Sequence, residues 1–225
     1  MEGIISFLKI AIPELVDGTG ITLQVTFVAL LGGFFLGFPT ALVRIYGGKL
    51  LSTIGTIYTE IFRGTPVLVQ LFIIYYGLPQ LGLTLPALLS AYIALGLNSG
   101  AYQAEYFRGA IQAISSGQMM AAQSLGMSKI KALLHIIIPQ AFRYALPAWS
   151  NEVVAMVKVT SIVYLTAVPD LMTKAKMLSS KYFNPIETYL ITAVFYLVII
   201  GILTLVLHYL ERKTRIPGLE IETSR

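Results

Sequence analysis

Ionisable and amide side chains set inside long apolar runs are the first candidates for chemistry in this sequence. Glu152 and Lys158 interrupt an otherwise apolar stretch from about residue 147 to 168. Ionisable groups at membrane depth almost always face a cavity or a partner. A small zwitterion carries one anionic and one cationic group. A cavity holding Glu152, Lys158, Asn98, Thr160 and Ser161 would suit it; a structural ion pair between subunits is the alternative. Glu152 and Lys158 lie about 120° apart around a helix, so they form no simple i,i+4 pair and each needs another partner.

Two further pairs, Glu60-x-x-Arg63 and Glu105-x-x-Arg108, have the i,i+3 spacing of helical neighbours. They read either as self-neutralising pairs between helices or as the lining of a gate. Asn98, Tyr102 and Glu105 recur at i, i+4 and i+7, which places them on one helix face. That face serves an interhelical hydrogen bond or a substrate path.

The elements that must carry these residues follow from composition. Of the 225 residues, 56% are hydrophobic and 12% charged, against about 25% charged in an average soluble domain. Mean hydropathy is +0.76. Disorder is excluded, because it needs low hydrophobicity and high charge. The net charge of +5 is spread in short stretches between apolar runs, unlike the single basic face of a nucleic-acid binder; no nucleic-acid partner is expected. Cysteine is absent and there are two histidines, far apart, so neither a thiolate site nor a histidine metal cluster is expected. The N-terminus shows no basic n-region followed by a compact apolar core, so no cleavable signal peptide is expected.

A bilayer core about 30 Å thick needs roughly 20 helical residues. Charge-free runs between Asp17 and Arg44, Arg63 and Glu105, and Glu187 and Glu211 predict spans at about 20–43, 52–78, 86–112 and 187–210. Pro79 to Pro86, with Gly82 between, marks a turn. A fifth span is predicted over 147–168 if its charges face protein or water. The expected fold is all-α and polytopic, one transmembrane domain over 1–225 with five spans. Ile4–Leu15 reads as an interfacial helix ending near Pro13. Arg44, Lys49, Lys129, Lys131, Arg143, Arg212, Lys213, Arg215 and Arg225 fall on one side; Lys9, Lys174, Lys176 and Lys181 fall on the other. The positive-inside rule then puts the N-terminus outside and the C-terminus in the cytoplasm.

The loop 113–130 is poor lipid-facing sequence despite lacking charge from 109 to 128. Ser115 or Ser116 can cap a short helix that Gly126 ends, presenting Met119, Met120, Gln123 and Leu125. An exposed apolar patch of this kind usually marks a protein partner.

Gly117-Gln118-x-x-Ala121-Ala122-x-x-Leu125-Gly126, followed by Ile138-Pro139-Gln140-Ala141, resembles the EAA loop of permease subunits of ATP-binding-cassette importers. Glu60-Ile-Phe-Arg-Gly-Thr-Pro-Val-Leu-Val-Gln70, Leu97-Asn-Ser-Gly-Ala-Tyr-x-Ala-Glu105-x-x-Arg108-Gly109 and Leu146-Pro-Ala-Trp-Ser-Asn-Glu-Val153 resemble motifs of the polar amino-acid subfamily. The resemblance covers nearly the whole chain. It implies the type I importer permease fold in a bacterial-type inner membrane. It also implies a second permease subunit, identical or homologous, separate ATPase subunits, and an extracytoplasmic solute-binding protein that delivers the amino acid. Gly117, Met120, Ala121, Ala122, Leu125 and Gly126 would form the coupling helix docked on the ATPase. The family usually has Glu where Met120 stands, and many relatives have Asp where Val159 stands. The resemblance is greatest to permeases for arginine, histidine and lysine, which implies a basic substrate.

No G-x-x-x-x-G-K-[ST] occurs, so ATP and Mg are expected on the partner and no cofactor on this chain. Neither H-E-x-x-H nor G-x-S-x-G is present, which disfavours an intramembrane enzyme. An ion-coupled secondary transporter or channel subunit remains the alternative; such proteins often show internal repeats.

The native absence of cysteine makes the orientation directly testable. Lys49→Cys is expected to label only from the cytoplasm and Leu83→Cys only from outside. The opposite labelling would reject the orientation, and Lys176→Cys, expected to label from outside, reports on the fourth span.

Overall fold

Small residues bring the two central helices together backbone to backbone. The computed structural model describes residues 2–214, with side chains from Ser6 onward. Helix α1 runs Glu2–Tyr46 and α4 runs Ala87–Ala113. A Cβ placed on Gly33 would meet Gln103 Nε2 at 2.6 Å and Ser99 Oγ at 2.9 Å; one on Gly37 would meet Gly100 O at 2.7 Å and Ala104 N at 2.9 Å. Gly33-x-x-x-Gly37 facing Gly100 and Ala104 is the small-residue packing that membrane helices use where lipid offers no hydrophobic drive. Phe34, Phe38, Phe107 and Phe142 stack around one end of this contact at centroid distances of 5.1–6.1 Å.

The second span is broken. Helix α2, Lys49–Gly64, meets α3, Val67–Phe72, which continues through a wide π turn and a 3₁₀ turn to Leu81. The two arms bend by 102°. Pro66 lacks an amide donor, and Thr65 before it is extended, at φ −118° and ψ 145°. In lipid the freed carbonyls must be satisfied internally. Gln70 Nε2 donates to Phe62 O at 2.8 Å and to Thr65 O at 3.1 Å. Asn98 Nδ2, from α4, donates to the same Phe62 O at 2.9 Å and to Gln70 Oε1 at 3.2 Å. The straight span expected over 52–78 is thus two arms joined by a buried amide cluster.

The remaining helices wrap this centre. Ser116–Ser124 forms α5. Lys129–Ala132, α6, passes through a π turn into α7, Ile138–Val159, followed by a 3₁₀ turn to Thr166. Helix α8 covers Leu171–Tyr182 and α9 covers Pro185–Thr214. The helix carrying the fourth span therefore starts at Lys129, well before residue 147. No strand occurs among the described residues. Ser6–Tyr46 and Pro185–Thr214 are each long and apolar enough to cross a membrane, and each of the bent pairs 49–81 and 129–182 passes as a unit. At 27 residues α4 is long enough to cross. Its Ser90, Asn98, Ser99 and Gln103 are buried in protein rather than turned to lipid.

The separate helix expected over Ile4–Leu15 is absent, because α1 continues unbroken through Pro13. Its Phe7, Ala11 and Leu15 pack on Leu171, Ala175 and Leu178 of α8. A Cβ on Gly18 would sit 2.9 Å from Asp170 O. That contact outweighs the helix-breaking tendency of the proline. Arg215 and Arg225, used in the charge count, lie outside the described residues.

Gly37→Leu is expected to destabilise the purified protein by about 1–3 kcal/mol, the usual range for overpacking. Gly20→Leu, whose Cβ meets nothing within 4 Å, is expected to change the thermal midpoint little. Equal midpoints for the two variants would rule out the glycine contact as the organiser of α1 and α4.

Candidate functional site

Helix α4 presents two neighbouring polar stripes. The first, Asn98, Tyr102 and Glu105, faces α2. The second, Ser99, Gln103 and Tyr106, faces α7 and α1.

Glu105 gathers three guanidinium groups. Its Oε1 accepts from Arg44 Nη1 of α1, which also donates to Thr59 Oγ1 at 2.8 Å. Its Oε2 accepts from Arg108 Nε at 3.0 Å and Nη2 at 2.6 Å, a bidentate grip one turn on. Arg63 Nη1, from the end of α2, stands 3.6 Å from Oε1 as an ion pair. Its guanidinium also lies 5.4 Å over the Tyr102 ring. The expected Glu105–Arg108 pair is present. The expected Glu60–Arg63 pair does not form among the described residues: both side chains are exposed, and Arg63, one turn after buried Thr59, pairs with Glu105 of α4 instead.

Glu152 of α7 has the opposite surroundings. It is 6% exposed. Oε1 accepts from Ser99 Oγ at 2.9 Å and Oε2 from Tyr106 OH at 3.2 Å. No salt bridge reaches it among the described residues. Ser99 Oγ also accepts from Gln103 Nε2 at 3.0 Å, and that amide donates to Leu30 O as well. Trp149 Nε1 donates to Gln103 Oε1 at 3.1 Å. Gly33 leaves the room Gln103 needs.

The Tyr102 and Tyr106 rings stand 6.5 Å apart and join the two centres. Arg44, Arg63, Arg108, Glu105, the two tyrosines and Glu152 therefore form one polar face. Arginine is cationic and its donor fork matches a carboxylate, whereas Glu152 has only hydroxyl partners. The face thus offers donors to an anionic group at one end and an acceptor to a cationic group at the other.

Other candidate residues fall elsewhere. Asn98 is spent on the joint of the second span. Thr160 is fully buried with its hydroxyl on Val157 O at 2.7 Å; Ser161 bonds Lys158 O at 2.7 Å. Lys158 is exposed at the end of α7. None of these three reaches Glu152 by a hydrogen bond or ion pair among the described residues. Arg44, Ser99, Gln103 and Tyr106 were not among the candidates; the spacing Ser99-x-x-x-Gln103-x-x-Tyr106, a second i, i+4, i+7 stripe, is the signal that marks three of them.

The 116–124 helix is capped by Ser115, whose hydroxyl accepts from Gly117 N at 3.2 Å. It ends at Gly126, with φ +82°, where Met127 N donates to Ala122 O at 3.1 Å. A residue with a Cβ is strained at that φ. Met120 and Leu125 are 60% and 85% exposed, and Ala122 is buried. Among the described residues no group of three or more His, Asp or Glu side chains converges as metal ligands would.

Residues 29–216 match a family described as the binding-protein-dependent transport system inner membrane component. A probable glutamine ABC transporter permease protein, GlnM of Bacillus subtilis (strain 168), is 39% identical over 197 residues, covering 88% of this chain and 91% of that one. The arginine transport system permease protein ArtQ of the same organism is 37% identical over 205 residues, covering 91% and 94%. A solved structure of an amino acid ABC transporter with histidines superposes with a TM-score of 0.87 at 38% identity, covering 93% of this chain and 97% of that one. The inward-facing MetNI methionine ABC transporter superposes with a TM-score of 0.78 at 18% identity, covering 90% and 97%, a likeness of fold.

Proposed function

This chain belongs to the family of binding-protein-dependent transport system inner membrane components, as an amino-acid ABC transporter permease, and we propose that its α4 face lines the path of a polar, preferentially basic, amino acid. The observation that carries this reading is Glu152, a buried carboxylate with hydroxyl donors and no cation beside it among the described residues. A buried charge without a counter-ion is costly. A guanidinium or ammonium group arriving with the substrate would supply one, in a charge-assisted bond. The longer of the two hydrogen bonds, from Tyr106, is the one it would replace. The name of the arginine permease relative supports a basic substrate; that of the glutamine relative supports a neutral polar one.

The motor is proposed to lie on separate ATPase subunits, since this chain has no phosphate-binding loop of its own. The 113–130 loop is proposed to dock there, through Met120 and Leu125 of the capped helix, on the cytoplasmic side. Ala121, Ala122 and Gly126 keep that surface compact; Met120 makes the contact apolar at its centre. A second permease subunit and an extracytoplasmic solute-binding protein complete the assembly. The segment Leu171–Tyr182, bordering a groove of about 470 Å³ with Glu14, Lys174 and Lys181 on its walls, belongs to the outer side in this reading.

In proteoliposomes with ATPase and binding protein, uptake is expected with ATP and not with an ion gradient alone. Glu152→Gln is expected to lower arginine uptake relative to glutamine uptake about 10-fold, from a charge-assisted bond of about 1.5 kcal/mol. An unchanged arginine-to-glutamine ratio would make Glu152 structural and remove the chemical support for a basic substrate.

A further inference from the structure

Of the three guanidinium groups at Glu105, two are spoken for. Arg44 is 10% exposed and bonds both Glu105 and Thr59. Arg108 grips Glu105 twice and reaches Gln112 Oε1 at 2.8 Å. Arg63 differs on each count. Its side chain is 38% exposed, the most of the three, and it makes no hydrogen bond in the network: its one ion pair to Glu105 is 3.6 Å long. Arg44 and Arg108 already make three hydrogen bonds to Glu105, so three positive charges surround one negative one, and Arg63 is the cation that has no hydrogen bond there. The ring of Tyr102 under its plane fixes where the fork sits. That fork stands beside the break of the second span, on the face that ends at Glu152.

We propose that Arg63 receives the α-carboxylate of the transported amino acid, with Tyr102 as its platform, while Glu152 faces the cationic end. The proposal rests on the reading of this face as the translocation path and adds the group that recognises what all amino acids share. A planar fork pairs with a carboxylate through two parallel N–H donors. An uncharged α-amide offers no such partner, so Arg63 discriminates against it. Specificity is thereby divided: Arg63 selects for the α-carboxylate, and Glu152 selects for the side chain.

The test is direct binding to the purified permease–ATPase complex without the solute-binding protein, which would impose its own selectivity. The probes are radiolabelled L-arginine and L-glutamine, competed by L-argininamide. Wild type is expected to bind both amino acids and to prefer arginine over its amide. Arg63→Gln is expected to weaken both amino acids at least tenfold and to erase the preference over the amide. Arg63→Lys, which keeps charge without the fork, is expected to fall between. Glu152→Gln is expected to keep the preference over the amide and lose that for arginine over glutamine. Size-exclusion of each variant complex reports on assembly. If Arg63→Gln binds both amino acids as wild type does while Glu152→Gln does not, the path reading stands and the role of Arg63 is overturned. If Arg63→Gln instead separates the permease subunits, Arg63 is an intersubunit contact and the proposal fails. If wild type binds neither amino acid, the path reading and the proposal fail together.

Discussion

Phe62 O receives two buried amide donors, one from Gln70 and one from Asn98. This arrangement answers the severest demand a bilayer makes on a chain, that a helix broken at membrane depth leaves no bare backbone group facing lipid. Asn98 sits on α4, so satisfying the break also fixes α2 against α4. Everything on the polar face inherits its position from that joint. Arg63 is one residue beyond Phe62, and Tyr102 and Glu105 are one and two turns beyond Asn98. The glycine contact of Gly33, Gly37 and Gly100 sets the other side of α4. It is close enough for Gln103 to cross to the backbone of α1 and hold Ser99 toward Glu152.

The two carboxylates on this face are treated in opposite ways. Glu105 has more cation than it needs, and its bonds join α1, α2 and α4 at one point. Removing one partner from such a buried set leaves uncompensated charge, which is costly; that makes Glu105 a natural fixed point. Glu152 has no such anchor among the described residues, only two hydroxyls. An ionisable group held this way is suited to exchange partners, and a path needs exchangeable contacts beside a rigid frame. Lys158, which the sequence sets near Glu152, is exposed on another part of α7. It cannot share the role without a contact from outside this chain.

The sequence was most informative where the signal is local. Apolar runs fall on the long helices, Ser115 and Gly126 marked the short helix, and Glu105-x-x-Arg108 formed as its spacing predicts. Pro13 misled, because a helix can absorb a proline when an entire face, Phe7 to Leu15, is packed. Gly64-Thr65-Pro66 carried the signal for the broken span, yet the unbroken run of apolar residues around it hid the bend. Arg44 read as a loop cation, and its bond to Glu105 depends on helices that are distant in sequence. Glu60 and Arg63 show the limit of spacing alone: they are three residues apart on a helix, yet Arg63 pairs with Glu105 of a neighbouring helix instead of with Glu60. Of the two roles open to Asn98, an interhelical hydrogen bond or a place on a substrate path, the structure shows the first, a bond to the backbone carbonyl of Phe62.

The central claim is that the α4 face between Arg63 and Glu152 is a water-accessible path that an amino acid occupies. The most direct measurement is thiol accessibility at Tyr102→Cys in the assembled transporter, where this chain contributes no other cysteine. A membrane-impermeant cationic thiol reagent is expected to modify it, and L-arginine is expected to slow that modification. Leu197→Cys, on the exposed apolar side of α9, is expected to resist the same reagent. Modification of Tyr102→Cys no faster than of Leu197→Cys, with no protection by any transported amino acid, would contradict the account.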